Sequence, residues 1–159
     1  MRLLSNMKKL FNISEELVSW EGVAEQVNKY VPLKRALATF DKEAVFVIEK
    51  MVPFLQHKHK NVLVDYKVRC LKAGEYGCPL PDWHYDCVKE YSHPAKHEHH
   101  LIYVNVDGTL FLDGPHILKA SDGDVWEYGR ELHASPMMKN DCKRVLIRVT
   151  ETDSVARVS

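Results

Sequence analysis

Hydrophobic residues follow two different periods along the chain. Up to about position 60 they recur at steps of three and four, which is typical of amphipathic helices. From Asn61 onward they alternate with polar residues, which is typical of strands with one buried face. The pattern therefore predicts a helical N-terminal part followed by a β core.

The first period predicts two helices. One begins after Ser14, its N-cap, and is closed by Pro32. Its apolar positions are Leu17, Trp20, Ala24, Val27 and Val31. The other begins after Asp41, its N-cap, and Pro53 kinks or ends it. Its apolar stripe consists of Val45, Ile48, Val52 and Leu55.

The second period predicts a series of short strands. One face of the first strand carries Val62, Val64, Tyr66, Val68 and Cys70. Further strands are predicted at 83–88, 99–106, 109–112, 117–120, 125–128, 131–133 and 143–150. Turn signals with Gly, Pro and Asp-Gly separate them. About eight such strands are typical of a β-sandwich or jelly roll.

These elements predict one domain, 1–159, of mainly β class with some α structure. Residues 1–60 would form a helical part that packs on one face of a jelly-roll core at 61–151. Residues 152–159 would form a polar tail.

Composition narrows the classes of function. The 159 residues include 22 Lys and Arg against 22 Asp and Glu, and this balance argues against broad binding to nucleic acid or anionic lipid. The longest uninterrupted apolar run, 44–48, is far shorter than the ~20 residues of a membrane-spanning helix. The four cysteines form no CxxC motif, and the first residues lack the pattern of a signal peptide. We therefore expect a reduced, cytoplasmic protein with no membrane partner; the sequence predicts no oligomeric state.

Nine histidines are many for this length, and His84 is the first with a chemically useful neighbour. In Trp83-His84-Tyr85-Asp86, positions 84 and 86 project from the same face of a predicted strand. An imidazole and a carboxylate that face inward together can hold one cation, which removes the free-energy cost of burying them.

The last predicted strand allows two interpretations. Val145, Ile147 and Val149 occupy one face, and Arg144, Leu146 and Arg148 occupy the other. Either the valine face forms the core and the arginines are solvated, or the valine face packs under the helices and the arginines turn inward. A buried guanidinium would then need an anion.

Four residues in order resemble a known family. His84-x-Asp86, then His133, then Arg144 eleven positions later, after a Gly-Asp-Val strand, resemble the Fe(II)/2-oxoglutarate-dependent dioxygenases. The pattern is most similar to the phytanoyl-CoA hydroxylase and taurine dioxygenase branches, and the resemblance covers roughly 62–150. It implies a double-stranded β-helix (jelly roll) fold.

The resemblance also implies residue roles. His84, Asp86 and His133 would be the metal ligands and catalytic centre for Fe(II), and Arg144 would bind the distal carboxylate of the cosubstrate 2-oxoglutarate. The activity would couple oxidative decarboxylation of 2-oxoglutarate to hydroxylation of a small molecule, a nucleotide base or a protein side chain.

Further residues are weaker candidates for cosubstrate binding. Arg148 shares a face with Arg144, while Tyr103 and Asn105 share a face of the central strand and Thr109 follows closely. The loop 74–82 would cover the iron.

Two alternatives remain open. His97 and His99 share a strand face and would form a cupin-like metal site. A non-catalytic jelly-roll structural or assembly protein, for example of a virus, would need the β core but no intact metal triad.

Overall fold

Two antiparallel sheets account for most of this mainly β protein, an arrangement compatible with a β-sandwich. The computed structural model describes residues 7–77, 98–106, 108–113, 115–129 and 133–153. The strands are β1 (Lys8–Asn12), β2 (Gln26–Pro32), β3 (Asn61–Leu71), β4 (His99–Val104), β5 (Leu110–Asp113), β6 (His116–Lys119), β7 (Asp124–Tyr128), β8 (His133–Ala134) and β9 (Cys142–Thr152). The helices are α1 (Leu33–Thr39) and α2 (Lys42–Met51), and the 3-10 turn Val52–Phe54 follows α2.

The larger sheet has the strand order β1-β7-β4-β9-β3-β2, and the smaller sheet has the order β6-β5-β8. The long strands β3 and β9 pair in continuous register from Asn61 opposite Thr152 to Leu71 opposite Cys142. The alternation predicted for β3 is confirmed, since Val64, Tyr66 and Val68 are buried in one core. Cys70, at the end of that face, is exposed.

The second predicted helix is confirmed at its start and its end. Asp41 is the N-cap of α2, and its Oδ1 accepts a hydrogen bond from the backbone nitrogen of Ala44 at 3.0 Å. Pro53 lies in the 3-10 turn that follows. The predicted stripe is partly wrong, because the buried residues of α2 are Ala44, Val47, Ile48 and Met51. They share a core cluster with Tyr66 and with apolar residues of β9.

The first predicted helix is wrong. Residues 26–32 form β2, which pairs with the free edge of β3 and places Gln26 opposite Val68. Trp20 is buried although it lies in a segment without helix or strand, whereas Val27, in β2, is 52% exposed. Pairing along an open sheet edge therefore outweighs the local apolar period. Residues 1–60 are consequently not a wholly helical part, since they supply β1 and β2 to the larger sheet.

A second apolar cluster lies on the other face of the larger sheet. It contains residues of both sheets and two that flank strands: Ile102, Val104, Trp126 and Tyr128 of the larger sheet, Phe111 of the smaller, and Met7 and Ala120 beside β1 and β6. The Phe111 ring lies 5.6 Å from that of Trp126 and 5.2 Å from that of Tyr128, between centroids. The predicted strand at 83–88 and the tail residues 154–159 lie outside the described residues. In the described ranges, no helix has the length and apolar content to cross a bilayer.

Candidate functional site

The two faces of β9 have different surroundings. Val145, Ile147 and Val149 are buried in the cluster that contains α2. Leu146, on the alternate face, packs against the cluster between the two sheets. The geometry therefore favours the interpretation in which the valine face packs under the helices, and Arg144 and Arg148 face the side of the smaller sheet.

Arg144 is buried at the start of this face, with 5% of its surface exposed. Its Nη1 donates a hydrogen bond to the carbonyl oxygen of Gly77 at 3.2 Å. Two backbone bonds hold the preceding segment in place, since Gly74 donates to Met138 and Met138 donates to Glu75, both at 2.8 Å. In the predicted 74–82 loop, Gly77 thus lies against Arg144, while Gly74 and Glu75 are bonded to Met138; residues 78–82 lie outside the described residues.

The backbone of Gly77 lies close to this arginine and to Ser135. A Cβ at position 77 would lie 2.7 Å from Cζ of Arg144 and would collide with the hydroxyl of Ser135. The guanidinium of Arg144 and the Oγ of Ser135 therefore both lie against the backbone of Gly77.

Ser135 was not predicted from the sequence. It is 8% exposed, and within the part of the chain that the structure describes its Oγ has no hydrogen-bond partner. The available signal was its spacing: it follows His133 by two positions, which places both side chains on the same side of an extended chain. A buried guanidinium beside a hydroxyl donor suits a carboxylate, which accepts several hydrogen bonds at once.

His133 begins β8 and is directly paired with Phe111 of β5. It is buried, with its ring centroid 5.4 Å from that of Tyr128 and 6.1 Å from that of Phe111. The other two predicted metal ligands, His84 and Asp86, lie outside the described residues. Among the residues that are described, no three His, Cys, Asp or Glu side chains are arranged to hold a metal ion.

Arg148 shares the face of Arg144 but is bound to a carboxylate. Oδ2 of Asp65 accepts hydrogen bonds from Nε of Arg148 at 3.1 Å and from Nη2 at 2.8 Å. Oδ1 of the same carboxylate accepts one from the backbone nitrogen of Tyr30 at 3.0 Å. Arg148 therefore links β9 to β3 in this structure.

Tyr103 and Asn105 do not join Arg144 in one site. Tyr103 is paired with Ile147 and faces the core that contains α2, where its hydroxyl accepts a hydrogen bond from Nε1 of Trp20 at 3.0 Å. Burial raises the pKa of Tyr103, against a smaller lowering by that bond. Asn105 accepts from the backbone nitrogen of Val145 at 2.7 Å and donates to the carbonyl of Lys143 at 2.9 Å.

These two residues line a cleft of about 950 Å³ together with Trp20 and Lys143, on the far side of the larger sheet from Arg144. The prediction that groups them with Arg144 is corrected. Tyr103 lies opposite Ile147 on the valine face of β9, whereas Arg144 points to the other face of the same strand. Thr109 is buried just before β5, and its carbonyl accepts a hydrogen bond from Ala120 at 3.1 Å.

His99 lies on the same face as Tyr103 and contacts two carboxylates. Its Nδ1 is 2.7 Å from Glu151, and its Nε2 is 3.0 Å from Glu127. Both ring nitrogens are thus occupied, and this geometry offers no support to a cupin-like metal site at His97 and His99. His97 itself lies outside the described residues.

No family model, no curated protein and no solved structure matches the chain. The candidate site consequently rests on Arg144, Ser135, Gly77 and His133 themselves, and on the chemistry that these side chains can perform together.

Proposed function

We propose that the protein is a non-haem iron oxygenase that couples the oxidative decarboxylation of 2-oxoglutarate to the hydroxylation of a second substrate. We also propose that its scaffold is a double-stranded β-helix. In support, the chain alternates between the sheets after β4: β5 and β6 belong to the smaller sheet, β7 to the larger, β8 to the smaller and β9 to the larger. Such repeated crossing between two sheets is expected of a jelly roll.

One observation carries the proposal. The guanidinium of Arg144 and the hydroxyl of Ser135 are both buried against the backbone of Gly77, and among the described residues this hydroxyl has no hydrogen-bond partner. A carboxylate within reach of both groups would accept from the planar fork of the arginine and from the serine, in a setting largely protected from water. The distal carboxylate of 2-oxoglutarate fits these donors.

The other site residues take the roles that the family resemblance implies for their order along the chain. His84, Asp86 and His133 would hold Fe(II), which when bound supplies the activation of oxygen. His133 would present its imidazole from the first residue of β8, two positions before Ser135. Phe111 and Tyr128, which pack around His133, would exclude water and fix its ring.

The test combines a spectrum with a product assay. Under anaerobic conditions, Fe(II) and 2-oxoglutarate together should give a weak visible charge-transfer band, and admission of air should release succinate. His133→Ala should abolish both signals. The matched control is His116→Ala, because His116 is exposed on β6 and should leave both unchanged.

Arg144→Ala separates the cosubstrate from the metal. It should weaken 2-oxoglutarate binding at least tenfold, about the loss expected for a charge-assisted pair, while metal binding is retained. If the wild-type protein shows neither the band nor succinate, the oxygenase proposal is wrong, and the non-catalytic jelly-roll alternative is favoured.

A further inference from the structure

Two more cations share the sheet face of Arg144. In the register of β3 with β9, Arg69 lies directly opposite Arg144, and Lys67 lies opposite Leu146. Positions 67 and 69 are two apart on one strand, so both side chains project to this face. Lys67 and Arg69 are each half-buried.

Most of the charges that act on Lys67 are positive, while the carboxylate of Glu25 lies near Arg69 and accepts a hydrogen bond from the backbone nitrogen of Cys70. Burial lowers the pKa of Lys67, and the neighbouring cations Arg148, Lys29 and Arg69 lower it further; Asp65 acts in the opposite direction. Asp65, however, already binds Arg148 through Oδ2. In the described ranges neither Lys67 nor Arg69 forms a hydrogen bond or ion pair through its side chain.

This arrangement is unfavourable without an anion. Like charges directly opposite one another on paired strands destabilise a sheet, and half-burial weakens the screening that water provides. The chain as a whole carries equal numbers of acidic and basic residues, so the accumulation on one face is local. An anionic group that lies over this face of the two paired strands would contact several of these cations at once.

We propose that Lys67 and Arg69 bind an anionic group, phosphate or carboxylate, of the second substrate. The inference rests on the proposed function in one respect, that Arg144 and Ser135 take the cosubstrate. The two cations lie one strand away from Arg144, so the anionic end of the substrate sits beside the cosubstrate. A small molecule fits better than a polymer because these side chains are half-buried, whereas contacts to a polymer backbone need exposed cations.

Isothermal titration with two probes tests the anion site. Inorganic pyrophosphate stands for a phosphate-bearing substrate and malonate for a carboxylate-bearing one, both at physiological ionic strength and without iron. Lys67→Gln and Arg69→Gln should each weaken binding of the preferred probe about tenfold. Lys34→Gln, which removes an exposed cation from α1, should leave the affinity unchanged.

The outcomes distinguish this inference from the proposed function. Probe binding that depends on Lys67 and Arg69 supports the anion site even if succinate release is never seen. Equal binding by wild type and both variants, or no binding at all, overturns it, whatever the iron spectrum shows. Binding of a single-stranded oligonucleotide through these residues, with no binding of either probe, also overturns it.

Discussion

Stability does not explain the position of Ser135, since its buried hydroxyl has no hydrogen-bond partner in the part of the chain that the structure describes. A buried hydroxyl without a hydrogen-bond partner raises the free energy of the folded state, because the group had water as its partner in the unfolded chain. Unsatisfied buried polar groups are uncommon in native proteins. Because this hydroxyl lies beside a buried arginine, an anionic ligand could accept hydrogen bonds from both. Removal of this hydroxyl should therefore change stability and cosubstrate binding in opposite directions.

Ser135→Ala should raise stability and lower cosubstrate affinity. Removal of the unpartnered hydroxyl should increase the free energy of unfolding by about 1 kcal/mol in the absence of ligand. The same change should weaken 2-oxoglutarate binding about fivefold to tenfold, because one donor to the distal carboxylate is lost. Urea unfolding and titration of 2-oxoglutarate into the Fe(II) protein measure the two effects.

The control for this pair of measurements is Thr150→Val. The Thr150 hydroxyl is also buried, but it lies 2.8 Å from Nδ1 of His100 and is therefore satisfied. Its removal should lower stability by about 1 kcal/mol and leave 2-oxoglutarate affinity unchanged. If Ser135→Ala behaves like Thr150→Val, the Ser135 hydroxyl has no role in cosubstrate binding.

At the scale of elements, the sequence predicts well where burial on one face is the main constraint. The alternation from Val62 to Val68 predicts β3, and a strong N-cap predicts the start of α2. It fails over 14–31, where an apparent helical period belongs partly to β2 and partly to a mostly exposed loop that buries Val18, Trp20 and Val23. No local pattern records that β3 has an open edge for β2 to fill.

The residues of the candidate site are also predicted only in part. Spacing along the chain selects His133 and Arg144, and the structure buries both on the side of the smaller sheet. Spacing does not show which face of a central strand points to the smaller sheet. The sequence therefore groups Tyr103 with Arg144, although the two side chains lie on opposite faces of the larger sheet. Ser135 was missed although its separation from His133 gives the same parity.

Asp41 adds a polar link between α2 and the larger sheet to the apolar packing of the helix. Its Oδ1 caps the helix, and its Oδ2 accepts a hydrogen bond from the buried Tyr66 hydroxyl at 2.8 Å. Burial, and then this bond, raise the pKa of Tyr66, so the hydroxyl remains a donor. Asp41→Ala removes both interactions and should lower the free energy of unfolding by about 2–3 kcal/mol.

Two further variants separate these contributions in urea unfolding. Asp41→Ser keeps a capping oxygen but loses the bond to Tyr66, so it should fall between wild type and alanine. Thr39→Ala removes an exposed hydroxyl that donates to Arg35 at the end of α1, and it should change stability by less than about 0.5 kcal/mol. If Asp41→Ala matches Thr39→Ala, the cap does not tie the helix to the sheet.

At the scale of the whole molecule, a net charge of zero conceals buried charges held in separate groups. Glu151, at the end of β9, is fully buried and accepts hydrogen bonds from the backbone nitrogens of Gln56 and His57 at 2.7 and 2.9 Å. It also contacts His99 of β4. One carboxylate thereby joins the connection after α2 to two central strands, far along the sheet from Arg144.

The Glu151 carboxylate should make the protein less stable in acid. Burial alone would raise the pKa of Glu151, but the hydrogen bonds from Gln56, His99 and His57 outweigh burial and hold it below the ordinary value. Because the folded state has the lower pKa, the stabilisation is complete above the unfolded value of about 4.3 and is lost as pH falls through the folded one. Asp124 shifts in the same direction, since bonds led by the one from Asn12 outweigh burial.

Glu151→Gln should therefore lower stability strongly at neutral pH and much less in acid. At pH 7 the variant loses the charge that holds the two backbone donors and His99, and we expect a loss of about 3 kcal/mol. As pH falls below the unfolded pKa, the contribution of the carboxylate declines by up to about 1.4 kcal/mol per pH unit, and the two proteins converge. Urea unfolding at several pH values measures the difference, with the exposed Glu49→Gln as a control that should follow wild type throughout. A difference that stays constant from pH 7 to 3 would show that Glu151 contributes through its shape and not its charge.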